Sequence, residues 1–443
     1  MQPTPPRLES LKGLLGARRF RVLLTSRLTS QTADGIFQAS LYGALLFNPD
    51  HQTRPAQIAG GLVLLVLPYS LVGPFVGVFL DRWRRQRILS RGAAVHGCLA
   101  ALSALLLFAD GSRSLGFEAT AFGALAVNRF YLAAQSAALP YVVRPDQLVI
   151  SNAFSTSAGT VITIAGGGIG VGVRGLAGSG DHGEALVAAL SAIGYLLAAA
   201  VATRLPVSLL GPHELPPVPA IEELRAVATG FVSGARHVWQ RREAAYALAV
   251  MYAQRALFGA WTIKLLLLYR YSFHAEGPLR AGIVGAGQAA TAGGIGLVAA
   301  AVLTPRVSGR IGRRRWIVLT TAIPAVSELS FGSEFSIGWF LLSALALGFA
   351  MQATKICVDS IIQANVDADF LGRAFALYDA GSNTCFAAAV VTAAYALPLS
   401  GRSETSVAAI SGAFLLTATA YAAAGRRRGE PSALAEQPAE QIA

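Results

Sequence analysis

A chain of 443 residues would ordinarily make two or three soluble domains, yet only 14% of these residues are charged, 54% are hydrophobic and the mean hydropathy is +0.52. That excess of apolar surface excludes an ordinary soluble protein and calls for lipid as solvent. The net charge of +12 does not indicate a nucleic-acid binder, because the arginines fall in short clusters between apolar runs and form no continuous stripe.

A bilayer core of about 30 Å takes roughly 20 helical residues to cross. Runs of that length predict spans at 20–47, 57–80, 87–109, 117–141, 150–174, 184–204, 244–270, 280–304, 315–333, 336–365, 372–398 and 404–424. The first and ninth are the weakest, since the first carries Arg27, Gln31 and Asp34 and the ninth is short and holds Pro324 and Glu328. Residues 1–20 have no short apolar core followed by a small-residue cleavage site, so the first span is expected to remain as an anchor.

The longest polar interval, 205–243, opens with Pro206, Pro212, Pro216, Pro217 and Pro219. It continues as EELRAVATGFVSGARHVWQRR, an amphipathic basic stretch read as a helix along the cytoplasmic membrane face, with an unstructured loop as the alternative. The expected organisation is a cytoplasmic segment 1–19, a six-helix bundle 20–205, a cytoplasmic central loop 206–243, a second six-helix bundle 244–425 and a disordered tail 426–443.

Arginine placement tests that count independently, because short cytoplasmic loops collect Lys and Arg. One side would hold Arg18, Arg19 and Arg21; Arg82, Arg84, Arg85 and Arg87; Arg225, Arg236, Arg241 and Arg242; Arg310, Arg313, Arg314 and Arg315; and Arg426 to Arg428. The other holds scattered single charges such as Arg54, Arg113 and Arg402. An even number of spans with both termini cytoplasmic sorts them. Cys98, Cys357 and Cys385 have no metal-ligand or disulfide spacing and read as buried small hydrophobes. The six histidines lie scattered and read as surface or interfacial residues.

After the second span the chain reads GVFLDRWRRQRIL (77–89), and after the eighth PRVSGRIGRRRWIVL (305–319). Setting Arg82 against Arg310 also sets Arg85 against Arg313 and Arg87 against Arg315, as two parallel six-span repeats would. The first of these loops resembles the G-x-x-x-D-R-x-x-R-R signature of the major facilitator superfamily, with Gly77, Asp81, Arg82 and Arg85 in place and Gln86 where the last arginine is expected. The resemblance covers about residues 17–425. It implies an all-α polytopic membrane protein of twelve transmembrane helices in two pseudo-symmetric six-helix bundles. It also implies a gating loop formed by Gly77, Asp81, Arg82, Arg84, Arg85, Arg310 and Arg313, and a single chain as the working unit.

Further segments resemble the proton-antiporter drug, macrolide and siderophore exporters of that superfamily. They are LAVNRFYLAAQ with Arg129 in the fourth span, GTVITIAGGGIGVG (159–172) in the fifth without the usual proline, ALPYVVRPDQLVISNAF and QANVDADFLGRAFALYD. The glycine clusters 166–172 and 293–296 are read as close helix approaches.

A charge at mid-bilayer needs a cavity or a partner. Asp34 and Arg129 are the proton-coupling candidates: an adjacent cation favours the ionised carboxyl, so parting the pair favours proton uptake. Lys355, Asp359 and Gln363 share one helix face at i, i+4 and i+8. Gln31, Phe37, Gln38, Arg255 and Trp261 complete the cavity and substrate candidates, while Lys264 is read as snorkelling to the interface. No catalytic, cofactor or metal motif stands in the chain, so it is not read as an enzyme.

The expected function is proton-coupled efflux of drugs or small amphipathic metabolites by alternating access in the cell membrane. The expected partners are the bilayer, a small-molecule substrate and the proton, with no nucleic acid. Two alternatives stay open: a carrier of a defined solute such as a siderophore, sugar, amino acid or lysolipid, and a non-transporting receptor or scaffold.

Overall fold

A computed structural model of the chain describes residues 14–426, apart from 49–54, 73–74, 81, 113, 145–146, 179, 212–218, 275–279, 281 and 332–333. Asp81, Pro212, Pro216, Pro217 and the tail beyond Arg426 therefore lie outside the described residues. Each of the twelve expected spans is helical, and no strand occurs among the described residues. Span 1 is Arg18–Leu46, and span 2 is Pro55–Leu71 followed by the short helix Val76–Leu80. Span 3 begins at Arg85–Arg87 and passes through a π-helical turn, Ile88–Gly92, into Ala93–Ala109. Spans 4, 5 and 6 are Leu115–Ala138, Leu148–Ala177 and Asp181–Ala202. A central helix, Ala220–Gln240, precedes span 7 (Arg242–Tyr271), span 8 (Gly282–Ile311) and span 9 (Arg313–Phe331). Spans 10, 11 and 12 are Ile337–Asn365, Ala368–Ala396 and Glu404–Arg426.

Helices are what lipid demands, because a backbone without water must satisfy its own hydrogen bonds. Six of these helices are long and apolar enough on composition alone to cross a membrane. Span 1 is not among them, yet it forms 29 residues of helix, because its polar groups turn into the protein: Arg27 is 7% exposed and Asp34 3%. Span 8 runs through Pro305 to Ile311, so the stretch 305–319 is helical almost throughout and not the loop expected. Its one break is Gly312 at φ +89°, a left-handed conformation that glycine adopts without a Cβ clash.

Glycines set the helix crossings. A Cβ at Gly35 would run into the Thr163 carbonyl and the Gly166–Gly167 backbone of span 5, and one at Gly166 would strike the Thr32 backbone. Gly259 meets the carbonyl of Phe386 in span 11 in the same way. Gly35 and Gly259 stand equally far from the first residues of spans 1 and 7, as Gly166 and Phe386 do from those of spans 5 and 11. One crossing is thus used twice, once in each half of the sequence. Span 8 closes on span 10 similarly, with Gly296 against Leu345 and Phe349, and Gly293 against Gly348. Of the first cluster, Gly168 and Gly172 have nothing nearby and take no part.

The packing falls into two compact units. One holds residues 1–236, 259–287 and 372–402, the other 237–258, 288–371 and 403–443. In the first, span 1 packs against spans 5 and 6, span 3 against spans 4 and 6, and span 2 against span 4. In the second, span 9 packs against spans 10 and 12.

Three sequence expectations are corrected. Cys98 is exposed on span 3, because it faces outward where an apolar thiol suits lipid as well as core; Cys357 is buried and Cys385 half-buried. His96 is no surface residue but 1% exposed, with its ring against Tyr195. Lys264 does not snorkel, being fully buried in span 7.

Candidate functional site

Span 1 carries Arg27, Gln31 and Asp34 at intervals of four and three, so they lie on one helix face. Arg27 Nε donates to Gln31 Oε1 at 3.0 Å, and Gly159 of span 5 leaves the room that the Gln31 amide fills. One turn further, Tyr195 of span 6 donates its hydroxyl to Asp34 Oδ1 at 2.7 Å. The Asn128 side chain of span 4 lies within bonding reach of the same carboxyl. Asp34 is therefore held by neutral donors from two neighbouring helices.

Aromatic rings enclose this group. The His96 ring stacks on Tyr195 at 3.7 Å between centroids, and Phe37 meets both edge-on at 6.1 and 6.4 Å. Neither His96 nitrogen has a hydrogen-bond partner. Below Arg27, Tyr131 donates to the Ser26 carbonyl at 2.9 Å, and Gln135 donates to the Tyr131 hydroxyl at 2.9 Å. The result is a polar column through the middle of a greasy bundle, which a low-dielectric core tolerates only when it is largely satisfied.

Asp34 and Gln31 thus fall in one site, with Phe37 in its wall. Arg129 is half-buried on span 4, and its neighbour Asn128 is the residue that reaches Asp34. Gln38 is half-buried. In span 7, Trp261 is buried, while Arg255 is half-buried with a buried Nε that lacks a hydrogen-bond partner. Lys355 pairs with Asp359 at 2.6 Å along span 10, as their i, i+4 spacing on one face allows, and Gln363 is exposed a turn beyond. Gln254, a weak pocket candidate on its sequence, joins a further buried polar cluster: it donates to Thr321 at 2.6 Å and Thr354 at 3.0 Å. Sequence reasoning missed Tyr195, Asn128 and His96, whose signal was an isolated polar or aromatic side chain amid small residues.

In the arginine-rich stretch after span 2, Gly77 lies in the short helix Val76–Leu80, Arg82 is half-buried and Arg84 exposed. Arg85 sits 5.3 Å over the Tyr141 ring and donates to the Leu210 carbonyl at 3.2 Å. Gln86 is buried and donates to the carbonyl of Ala202, the last residue of span 6, at 3.3 Å. A neutral amide suits that buried place, where a guanidinium would need a counter-charge. Arg310 and Arg313 are exposed. Arg314, the second residue of span 9 as Gln86 is of span 3, reaches the Tyr421 carbonyl at 3.3 Å and pairs with Glu243 at 3.3 Å.

The C-terminus of span 1 accepts two arginines. Arg270 donates to the carbonyls of Leu46, at 2.5 Å, and Asn48, at 2.6 Å; Arg174 donates to that of Phe47 at 3.5 Å and pairs with the fully buried Glu184. Cations suit a helix C-terminus, where unpaired carbonyls gather negative partial charge.

No protein-family model matches the chain. It is 34% identical over 412 residues to an uncharacterized MFS-type transporter of Mycobacterium bovis and, to the same extent, to one of Mycobacterium tuberculosis; each match covers 92% of this chain and 91% of the relative. Among solved structures it is similar to the nucleoside transporter NupG, with a TM-score of 0.63 and 13% identity over 91% of this chain and 98% of that one. It is similar as well to the peptide transporter POT in complex with sulfate, with a TM-score of 0.68 and 13% identity over 91% and 94%. Identities that low speak for the fold alone.

Proposed function

The chain belongs to the major facilitator superfamily, and from that premise we propose that it is a proton-coupled exporter of drugs or small amphipathic metabolites. As a member it is a multi-pass membrane transporter and not an enzyme. The finer reading is alternating access: two six-span halves rock about a central path in the cell membrane, both termini are cytoplasmic, and the arginine-rich segments after span 2 and at the junction of spans 8 and 9 brace the inner gate. One chain is the working unit.

The observation that carries the coupling is Asp34, buried in mid-span between Tyr195 and Asn128. A carboxyl in such a core is retained at a cost of at least a few kcal/mol, on the order of 2.5–3.5 on the insertion scale, and residues of that kind mark proton and substrate paths. A shift of spans 1, 4 and 6 against one another within the first half, accompanying the rocking, alters the donors around Asp34. Proton uptake and release at that carboxyl then accompany the change of access, with Arg129 one residue from Asn128 as the cation that favours release. A defined anionic solute is the second reading, and the unpartnered Nε of Arg255 favours it by offering a donor to an anionic group.

The test is purified protein in vesicles with an imposed pH gradient, screened against amphipathic cations, macrolides, siderophores, sugars and amino acids. Gradient-driven flux of an amphipathic compound, lost in Asp34→Asn, is the expected result. Undiminished gradient-driven flux in Asp34→Asn overturns the coupling role. Flux of one anionic metabolite alone, lost in Arg255→Gln, replaces the first reading by the second.

A further inference from the structure

The central helix carries an apolar face that the protein does not cover. Val232 is 73% exposed, Trp239 76% and Ile221 58%. At 3.6 residues per turn these three fall within about 20° of one another, and the exposed Arg225 and Arg236 lie within about 60° of the same line. The opposite face is occupied. Gly230, Gly234 and Val238 are buried at four-residue intervals, and a Cβ at Gly234 would meet that of Arg373, at the start of span 11, at 2.8 Å. Arg373 also donates to Ser233 at 3.4 Å. At the helix's C-terminal end, Arg241 holds Asp367 through two bonds of 2.9 and 3.0 Å, while His237 stacks on Phe370 at 4.2 Å. The helix is thus fixed on one side, and its Trp, Val and Ile point away from the protein together with two guanidinium groups.

We propose that this face binds the anionic phospholipid headgroups of the adjacent membrane leaflet. Water is a poor surrounding for three aligned apolar side chains, and a protein partner would ordinarily meet fewer unpaired cations at its centre. A headgroup layer satisfies both: the tryptophan ring seats at the level of the headgroups with Val232 and Ile221 below it, and Arg225 and Arg236 meet phosphate. Arg241 is engaged with Asp367 and adds nothing to that charge. Glu222, an exposed acid on this helix, stands in its first turn, where a helix N-terminus accommodates a carboxylate, far from the Arg236–Trp239 end.

The experiment uses the full chain in nanodiscs of phosphatidylcholine mixed with phosphatidylglycerol, with one or the other lipid brominated along its acyl chains. The fluorescence difference between wild type and Trp239→Phe isolates Trp239. Its emission should be quenched more by brominated phosphatidylglycerol than by brominated phosphatidylcholine at equal mole fraction. The implied local enrichment is about fivefold for each arginine engaged. In the Arg225→Gln/Arg236→Gln variant the two lipids should quench alike. Both positions are exposed, so the variant keeps its fold, which a melting curve verifies. Trp239 emission untouched by either lipid means that the face meets water or a protein and overturns the proposal. Equal quenching by both lipids in the wild type means apolar contact without headgroup recognition and overturns it as well.

Discussion

Tyr195 donates its hydroxyl to Asp34 from a ring stacked face to face on His96. The three residues come from spans 6, 1 and 3, so one hydrogen bond and one stack tie three helices around a single carboxyl. Tyr195 is itself fully buried, and its ring cannot swing away without disturbing Phe37 and His96.

Tyr195→Phe keeps the stack and removes the donor. The variant should lose about 1–3 kcal/mol of stability, the penalty for a buried acceptor left short of a partner. In the Asp34→Asn background the same substitution should cost less, because a neutral amide depends less on that hydroxyl. Thermal melts in detergent of the two single variants and the double variant give the coupling. Strictly additive losses would show that the two side chains do not act together.

The glycine crossing makes a contrast within one helix. A Cβ at Gly35 or Gly166 has backbone atoms of the partner helix in its way, and backbone does not yield as a flexible side chain does. Gly166→Ala should therefore destabilise by about 1–3 kcal/mol or more through overpacking. Gly168→Ala and Gly172→Ala meet nothing within 4 Å and should gain up to about 1 kcal/mol from helix propensity. Melting temperatures moving in the same direction for Gly166→Ala and Gly168→Ala would contradict the crossing.

Much of this architecture was legible in the residues, for identifiable reasons. Twelve apolar runs report on lipid, which every span must meet, so spans as weak as the first and ninth were still found. Glycine clusters at 166–172 and 293–296 pointed to close approach because little else justifies glycine inside a helix. The partners of a buried polar group were another matter. Asp34 stood out as an intramembrane charge, but Tyr195, Asn128 and His96 converge on it from spans distant in sequence, and a neutral donor in an apolar run carries no pattern. Gln86 and Arg314 illustrate the same limit in the arginine-rich segments. The repeat was visible from Arg85 and Arg313, while the paired donations to spans 6 and 12 belong to the residues that follow them.

Arg314 bridges three helices, bonding the Tyr421 carbonyl of span 12, pairing with Glu243 at the start of span 7 and lying 5.0 Å over the Tyr421 ring. Arg310 and Arg313 are exposed and make no comparable bridge in the described contacts. Arg314→Gln should lower thermal stability by about 1 kcal/mol, since the Glu243 pair is partly solvated and only the carbonyl bond and the ring contact are sheltered. Arg310→Gln and Arg313→Gln should stay within about 0.5 kcal/mol of the parent. A larger loss from Arg313→Gln than from Arg314→Gln would reverse that assignment.

The contacts around the C-terminus of span 1 offer the sharpest electrostatic test. Glu184 is fully buried near the start of span 6, with Arg174 of span 5 as its ion-pair partner, and Gly43 of span 1 lies where any Cβ would collide with its carboxylate. One carboxylate oxygen has no hydrogen-bond partner, so Arg174 bears most of the compensation for that charge. Arg174→Gln should therefore destabilise by about 3–5 kcal/mol, as removing one partner of a buried pair does. Glu184→Gln removes the charge that needed compensation but leaves Arg174, 12% exposed, free to turn toward solvent and the Phe47 carbonyl, and should cost less. The double variant Arg174→Gln/Glu184→Gln should then be more stable than Arg174→Gln alone. Melts of all three in detergent decide the matter: a double variant no better than Arg174→Gln would mean that the guanidinium acts by packing against the end of span 1, and not by answering the carboxylate.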